Sequence, residues 1–242
     1  MVEINGQDKP VSSYHSELAL GFWSAVLVTL FNVISTLLMI PSWFLFPITE
    51  WRGIEAYASG FHFFQIASMA PGFLAVLAFL PLMTAVHYYA SPERQVFSQL
   101  GIAFAAITVA MLGFQYYSQL TVVRYNLTGL EQPAMGLFVL GNPHSFFWPL
   151  ESLGYGFMGL STLFAAFVFP DGRLERWIRG LFLANGALGI GGIVVLPLEV
   201  ATMAVLAGLA LWTVLFPVGT ILLALLFRRA MRSAVQYRIL AA

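Results

Sequence analysis

The chain has 242 residues, of which 60% are hydrophobic and only 9% are charged, and its mean hydropathy is +0.84. Soluble domains usually carry about 25% charged residues, so this composition indicates a protein embedded in a lipid bilayer. The formal net charge is zero and no long basic run occurs, so we expect membrane lipid and no nucleic acid as partners. Cysteine is absent, which excludes disulfides, thiol catalysis and iron–sulfur clusters.

Six apolar stretches are each long enough to cross about 30 Å of hydrocarbon as a helix. In chain order they cover about 18–40, 65–89, 100–123, 147–169, 178–198 and 201–227. We expect Pro41 to end the first span and the PDGR turn at 170–173 to close the fourth. The polar N-terminal segment lacks the features of a signal peptide, so we expect an uncleaved first helix. The sequence therefore predicts an all-α polytopic membrane protein, a single-domain bundle of six transmembrane helices.

The basic residues predict the orientation of this bundle. Nine of the eleven fall in the two tails and in the loops after the second and fourth spans, whereas only Arg52 and Arg124 fall on the other side. Because cytoplasmic loops carry an excess of Lys and Arg, we expect a multi-pass protein of the cell membrane with both termini in the cytoplasm. The two long segments on the opposite side, 41–64 and 124–146, are rich in aromatic residues, and we expect them to lie along the outer surface of the bundle.

Polar side chains near the span ends gather at one membrane level, on the outer side. They are His62, Gln115, Gln119, Arg124, His144, Glu151 and Tyr155. Gln115 and Gln119 are four residues apart, as are Glu151 and Tyr155, so each pair shares a helix face. Polar groups within a membrane usually face the bundle interior or a water-filled cavity. The sequence therefore predicts an outward-facing polar pocket lined by these seven residues, in which Arg124 reaches Glu151.

Each of these residues also has a simpler structural interpretation. If the fourth helix starts near residue 150, with Pro149 at its beginning, Glu151 lies in the first turn and is stabilised by the helix dipole. Arg124 then anchors the helix end by snorkelling to the interface. His62, His144 and Glu151 form a possible two-histidine, one-carboxylate metal site, but no HExxH or comparable spacing supports it. We expect no metal, no cofactor and no catalytic residue.

Sequence motifs exclude several other chemistries. There is no GxSxG nucleophile motif and no Walker motif. The only lysine is Lys9, outside every span, which excludes a retinal Schiff base. The glycines of the fifth span favour close helix packing, for example through the small-residue pair Ala187 and Gly191.

Three stretches carry a resemblance to a known family: QYYSQLTVVRYNLTGLEQ, NPHSFFWPLESLGYGFMGLSTLF and GRLERWIRGLF. They resemble bacterial six-span integral membrane proteins grouped as a domain of unknown function. The resemblance covers most of the chain. It implies a compact six-helix bundle in a bacterial inner membrane, and it implies no activity.

For function, the sequence leaves three classes open. The first is a protein that binds or transports a small or lipid-like molecule through the outward-facing pocket, with Glu151 matching a cationic group or carrying a proton. The second is a non-catalytic accessory or structural membrane protein in which Glu151 only stabilises a helix end. The third is a membrane enzyme that modifies lipid through a histidine–glutamate pair or a metal.

Overall fold

The structure is a computed structural model, and it describes residues 11–46, 50–127, 133–195 and 202–240. In this part of the chain all regular structure is helical. The helices are α1 (Val11–Leu45), α2 (Ile54–Gly60), α3 (Met69–Tyr89), α4 (Gln95–Ser118), α5 (Arg124–Asn126), α6 (Phe147–Ala166), α7 (Arg173–Val195) and α8 (Thr202–Leu240). Residues 196–198 and 201, at the ends of the predicted fifth and sixth spans, lie outside the described residues.

The six long helices form a closed ring in chain order. Each of α1, α3, α4, α6, α7 and α8 packs against the next, and α8 returns to pack against α1. Neighbours run antiparallel: on the α1–α8 seam, for example, Thr29 and Thr220 share a hydrogen bond of 2.7 Å between their hydroxyls, while Phe227 packs on Gly21. We call the end of the ring that holds residues 50–68 and 133–146 the loop end, and the opposite end the termini end.

Within the described residues, five helical segments are long and apolar enough to cross a membrane, which supports an α-helical, membrane-like fold. They are His15–Ser42, Phe63–Tyr89, Pro92–Asn126, Arg173–Val195 and Ala210–Ala234. Helix α6 matches the predicted fourth span and has 20 residues with a single charged one, so low hydropathy keeps it out of this set. Its polar side chains are enclosed by α4 and α7: Ser161 donates to the Gly101 carbonyl, and Thr162 accepts from Asn185.

The predicted end of the first span at Pro41 is wrong, because α1 continues through Pro41 to Leu45. Proline removes one backbone donor, but it does not stop a helix whose freed groups find other partners. Helical hydrogen bonding resumes beyond Pro41, since the Phe46 N–H donates to the Ser42 carbonyl. Proline is also tolerated inside α3 at Pro81 and inside α8 at Pro217.

The two long segments predicted to lie on the outer surface pack on each other at the loop end. Tyr57 of α2 lies in one small apolar cluster with Val123 and Leu127 at the end of α4, and with Met135 and Val139 of the following segment. Burial raises the pKa of Tyr57 to about 12. This cluster is separate from the main core and forms a cap over the loop end of α4.

Glycines bring α6 and α7 into backbone contact. A Cβ atom on Gly189 would lie 2.7 Å from the Cα of Gly159, so only glycine allows this approach. Gly186 of α7 also faces α6, packing against Leu163. Close packing of this helix was expected from sequence, but the predicted pair does not provide it: Ala187 is exposed, and a Cβ on Gly191 would meet nothing within 4 Å.

Candidate functional site

A polar cavity of about 50 Å³ lies inside the loop-end half of the ring. It is bounded by α1, α3, α4, α6 and α8, so five of the six long helices contribute to its wall. Its lining is Asn32, Ser35, Thr36, Met39, Gly72, Ala75, Val76, Tyr116, Tyr155, Met158, Trp212, Thr213 and Phe216. A water molecule needs about 10–15 Å³ of such space, so the cavity has room for roughly four waters or one small polar group.

The α1 wall of the cavity presents an unsatisfied polar group. The side chain of Asn32 is 8% exposed, and its Oδ1 atom has no hydrogen-bond partner among the described residues. Buried amide oxygens are nearly always bonded to protein or ordered water, and leaving one unpaired costs about 1–3 kcal/mol. Ser35, one turn along, already donates to the Ser68 carbonyl at 2.8 Å. Asn32 therefore brings to this wall a buried amide whose oxygen is unpaired within the described residues.

A pair of tyrosines closes the opposite wall. The hydroxyls of Tyr116 on α4 and Tyr155 on α6 lie 2.5 Å apart and share a hydrogen bond. The approach of Tyr116 depends on Gly72, since a Cβ there would lie 3.2 Å from the tyrosine ring. The Tyr155 ring meets Trp212 of α8 edge-on, with centroids 4.9 Å apart. The structure thus places Tyr155, one of the predicted pocket residues, in the cavity wall.

Gln115 is buried on the side of α4 that faces α6. It is 2% exposed, and neither its amide nitrogen nor its amide oxygen has a hydrogen-bond partner within the described parts of the chain. Gln119 follows one turn later and is similarly buried; its Nε2 donates to the Phe138 carbonyl, while its Oε1 is unpaired. The predicted shared face is correct for these two, but neither lines the cavity.

Glu151 lies one turn from Tyr155 on α6, toward the loop end. Helix α6 begins at Phe147 and has no acidic residue in its first turn, so Glu151 is beyond the region where a helix dipole stabilises a carboxylate. Its side chain is half-buried and forms no hydrogen bond or ion pair with another described residue. The helix-start interpretation of Glu151 therefore lacks its geometric basis.

Glu151 and Gln115 lie at the same level on neighbouring helices. The side chain of Leu112 on α4 packs directly on Gly154 of α6, which fixes the register between the two helices. Because α4 and α6 run antiparallel, three residues toward the loop end from each of these positions leads to Gln115 and to Glu151. A half-buried carboxylate and an unpaired buried amide thus lie at the same level of the ring, one turn beyond the cavity.

Arg124 does not reach Glu151. Its guanidinium lies over the ring of Phe63, 4.8 Å from the ring centroid, and 5.7 Å from that of Tyr125. The last turns of α4 explain this placement: after Ser118 the chain widens into a π-helical turn, Gln119–Val123, which changes the direction in which Arg124 projects. The exposed position of Arg124 agrees with the alternative of an anchor at the membrane interface.

The two loop-end histidines are exposed and have local roles. His62 begins the 3₁₀ turn Phe63–Gln65, accepts from the Phe64 N–H through Nδ1, and stacks on Phe46 with centroids 3.9 Å apart. The His144 N–H donates to Asn142 Oδ1 within a turn before α6. Across the described ranges, no three His, Asp or Glu side chains lie close enough to hold a metal ion. The His62, His144 and Glu151 site is thus not assembled there.

Sequence reasoning missed the α1 side of the cavity. Asn32, Ser35, Thr36 and Met39 recur at intervals of three and four residues, which is the spacing of one helix face. This signal was present, but it lay inside a long apolar run whose surroundings suggested only a span. Trp212 and Phe216 of α8 are likewise one turn apart and stack, with centroids 5.0 Å apart.

Comparison with known proteins gives no relative from which a role for these residues follows. No protein-family model, curated protein or solved structure matches the chain. The resemblance to bacterial six-span membrane proteins therefore stays a prediction, and the interpretation of the site depends on its own geometry and chemistry.

Proposed function

We propose that the chain is a six-span protein of the cell membrane, with both termini in the cytoplasm, that binds a small or lipid-like molecule in the polar cavity. The observation that carries this proposal is a cavity in the interior of the ring whose lining includes Asn32, a buried amide with its Oδ1 unpaired among the described residues. Polar groups within a membrane are costly, and those that face an interior cavity typically mark a pathway or binding site.

The ring supports the six-span arrangement. Both ends of the described chain lie at the termini end, as expected for an even number of crossings. Helix α6 lies between α4 and α7 and also contacts α3, so its low hydropathy does not prevent it from crossing. Arg52 and Arg124, the two basic residues assigned to the outer side, both belong to the loop end. The loop end is then the outer side under the positive-inside rule.

The position of the cavity supports entry from the loop end. Glu151 lies one turn beyond the cavity in that direction, is half-buried and has no hydrogen bond or ion pair within the described residues, so it is available to a molecule on its way in. In the other direction the rings of Phe79 and Phe216 meet edge-on, 5.9 Å apart, and both are buried. This pair forms the floor of the cavity. With no energy-coupling motif in the sequence, binding or passive exchange fits better than driven transport.

Filling the cavity tests the proposal. Ala75 of α3 lines the cavity and is 7% exposed, whereas Ala70 on the same helix is exposed on the outside of the ring. The protein and its Ala75→Leu and Ala70→Leu variants would be purified gently and compared by native mass spectrometry. We expect a discrete non-detergent mass bound to the wild type and to Ala70→Leu, and absent from Ala75→Leu. A bound mass retained by all three, or absent from all three, would contradict the proposal.

Glu151→Gln adds a separate measurement at the entrance. The substitution keeps the size of the side chain and removes its charge. If Glu151 guides or holds the ligand, the bound fraction falls while thermal stability stays within about 0.5 kcal/mol of wild type, since no ion pair or hydrogen bond to a described residue is lost. An unchanged bound fraction would remove Glu151 from the site.

A further inference from the structure

We propose that the cavity takes a methylated ammonium group, either as the headgroup of a lipid or as a free small molecule. This inference rests on the proposed binding function and names the chemical class of its ligand. It follows from which side chains surround the cavity, the sign of the charge near it, and its size.

Four aromatic side chains contribute to the cavity wall, from three different helices. They are Tyr116, Tyr155, Trp212 and Phe216. Adjacent rings in this set are in contact: Tyr155 meets Trp212 edge-on, and Trp212 stacks on Phe216. The faces of aromatic rings are electronegative, and enclosures built from them recognise methylated ammonium groups through cation–π attraction. A low-polarity wall also suits the methyl groups, which form no hydrogen bonds.

The charges around the cavity favour a cation. Its lining contains no Lys, Arg or His. Glu151 lies one turn from Tyr155, outside this lining, and it has no ion pair within the described residues. Arg124, the basic residue predicted to neutralise it, lies over the Phe63 ring instead. A carboxylate or phosphate group would find no cationic side chain in this wall, so an anion is disfavoured.

The polar atoms of the wall match the remainder of such a molecule. Asn32 lines the cavity and its Oδ1 has no partner among the described residues, so a turn of the side chain would offer an acceptor to a hydroxyl attached to the ammonium group, as in choline. The cavity volume of about 50 Å³ has room for roughly four waters. This is similar to the space that the four carbon substituents of a quaternary ammonium group occupy.

Choline and its neutral isostere separate charge from shape. 3,3-Dimethylbutan-1-ol has the shape of choline with a carbon in place of the nitrogen. The full-length protein in dodecyl maltoside would be titrated with each compound while thermal unfolding is followed by tryptophan fluorescence. We expect choline to raise the unfolding temperature and the isostere to have at most one tenth of its affinity. Equal shifts with the two compounds would overturn the ammonium assignment and leave the binding function intact.

Substitutions at Trp212 test the aromatic wall. Trp212→Leu should weaken choline binding by about tenfold or more, and Trp212→Phe, which keeps a ring, by less. Trp177→Leu is the matched control, because Trp177 is 63% exposed on α7 and should leave choline binding unchanged. If Trp212→Leu fails to fold, Trp212→Phe decides alone. Unaltered choline affinity in Trp212→Phe, together with equal affinity of the protein for choline and its isostere, would then refute the role of the aromatic wall. Choline affinity unchanged in Trp212→Leu would also refute it.

A third measurement distinguishes the source of the group. The protein would be placed in nanodiscs containing equal amounts of phosphatidylglycerol and phosphatidylcholine, and the retained lipid would be identified by native mass spectrometry. Selective retention of phosphatidylcholine with no effect of free choline assigns the group to a lipid, and the reverse assigns it to a free molecule. If neither is selected while another mass binds wild type and not Ala75→Leu, the ammonium inference fails alone. If nothing binds at all, the proposed function fails with it.

Discussion

Gly189→Ala adds a single methyl group at the point where α6 and α7 touch, and the structure sets the size of its effect. The added Cβ would lie 2.7 Å from the Cα of Gly159 and 2.9 Å from the Tyr155 carbonyl oxygen. Both neighbours are backbone atoms, so neither can move aside by changing a rotamer. To restore ordinary contact at 3.4–4 Å, the two helices must separate by about 1 Å.

This separation has a cost that exceeds the benefit of the substitution. Replacing glycine by alanine within a helix stabilises by about 1 kcal/mol, whereas overpacking of this kind costs about 1–3 kcal/mol. Separation also stretches the hydrogen bonds from Asn185 to Thr162, at 2.9 Å, and from Ser152 to the Gly192 carbonyl, at 2.9 Å. Each contributes about 1 kcal/mol. We expect a net loss of about 2–3 kcal/mol in the free energy of unfolding.

Gly191→Ala provides the matched control on the same helix. A Cβ on Gly191 would meet nothing within 4 Å, so only the helix-propensity term applies, and we expect a gain of up to about 1 kcal/mol. Both variants would be unfolded by dodecyl sulfate in mixed micelles and followed by tryptophan fluorescence. The two free energies should differ by about 3 kcal/mol. Equal stability of the two variants would show that α6 and α7 do not meet through Gly189.

Three further predictions follow from the described contacts. Tyr57 is buried and has a pKa of about 12, against about 10 in an unfolded chain. Its stabilising contribution is therefore present below pH 10 and is lost as the pH rises through 12. In pH-dependent unfolding, Tyr57→Phe should remove up to about 2–3 kcal/mol of this alkaline destabilisation. Gln115→Leu replaces an unpaired buried amide by an apolar side chain of similar size, and we expect it to raise the free energy of unfolding by about 1–3 kcal/mol, whereas a decrease would reveal water bonded to the amide. Because the chain has no cysteine, single-cysteine variants at Arg52 and Ser233 can be labelled by an impermeant maleimide in intact cells; we expect labelling of the first alone, and the opposite result would reverse the proposed orientation.

The helices were predictable because a long apolar run in a membrane has few backbone conformations other than a helix in which its hydrogen bonds are satisfied. The predicted starts and ends at Tyr89 and Phe147 agree with α3 and α6 to the residue. Pro41 misled because a proline removes only one backbone donor, and helical hydrogen bonding resumes after it, from the Phe46 N–H to the Ser42 carbonyl. The α6 helix was recognised by its length, yet its low hydropathy is tolerable only because α4 and α7 enclose it, which the sequence does not display.

The site was predictable only in part, for a geometric reason. Spacing along one helix correctly grouped Gln115 with Gln119, because that relation depends on the helix alone. Relations between helices depend on rotation about their axes. The pairing of Arg124 with Glu151 therefore failed when a π-helical turn redirected Arg124 toward Phe63. Rotation about the helix axis also decides which face of α7 meets α6. That face carries Gly186 and Gly189, and not the predicted pair Ala187 and Gly191.

The change in side-chain size along the ring axis explains why a cavity exists at all and where it opens. In the termini half, large buried side chains fill the axis, namely Phe79, Leu82, Met83, Leu223 and Phe227. In the loop half, the cavity lining includes small side chains such as Gly72, Ala75 and Ser35 alongside aromatic rings. A ring of six helices with uniformly large residues would have a solid core. The sequence instead leaves space on one side of the Phe79–Phe216 floor, and the unpaired Asn32, Gln115 and Glu151 groups occur on that same side, which is the arrangement expected if the space is kept for a bound molecule rather than left by imperfect packing.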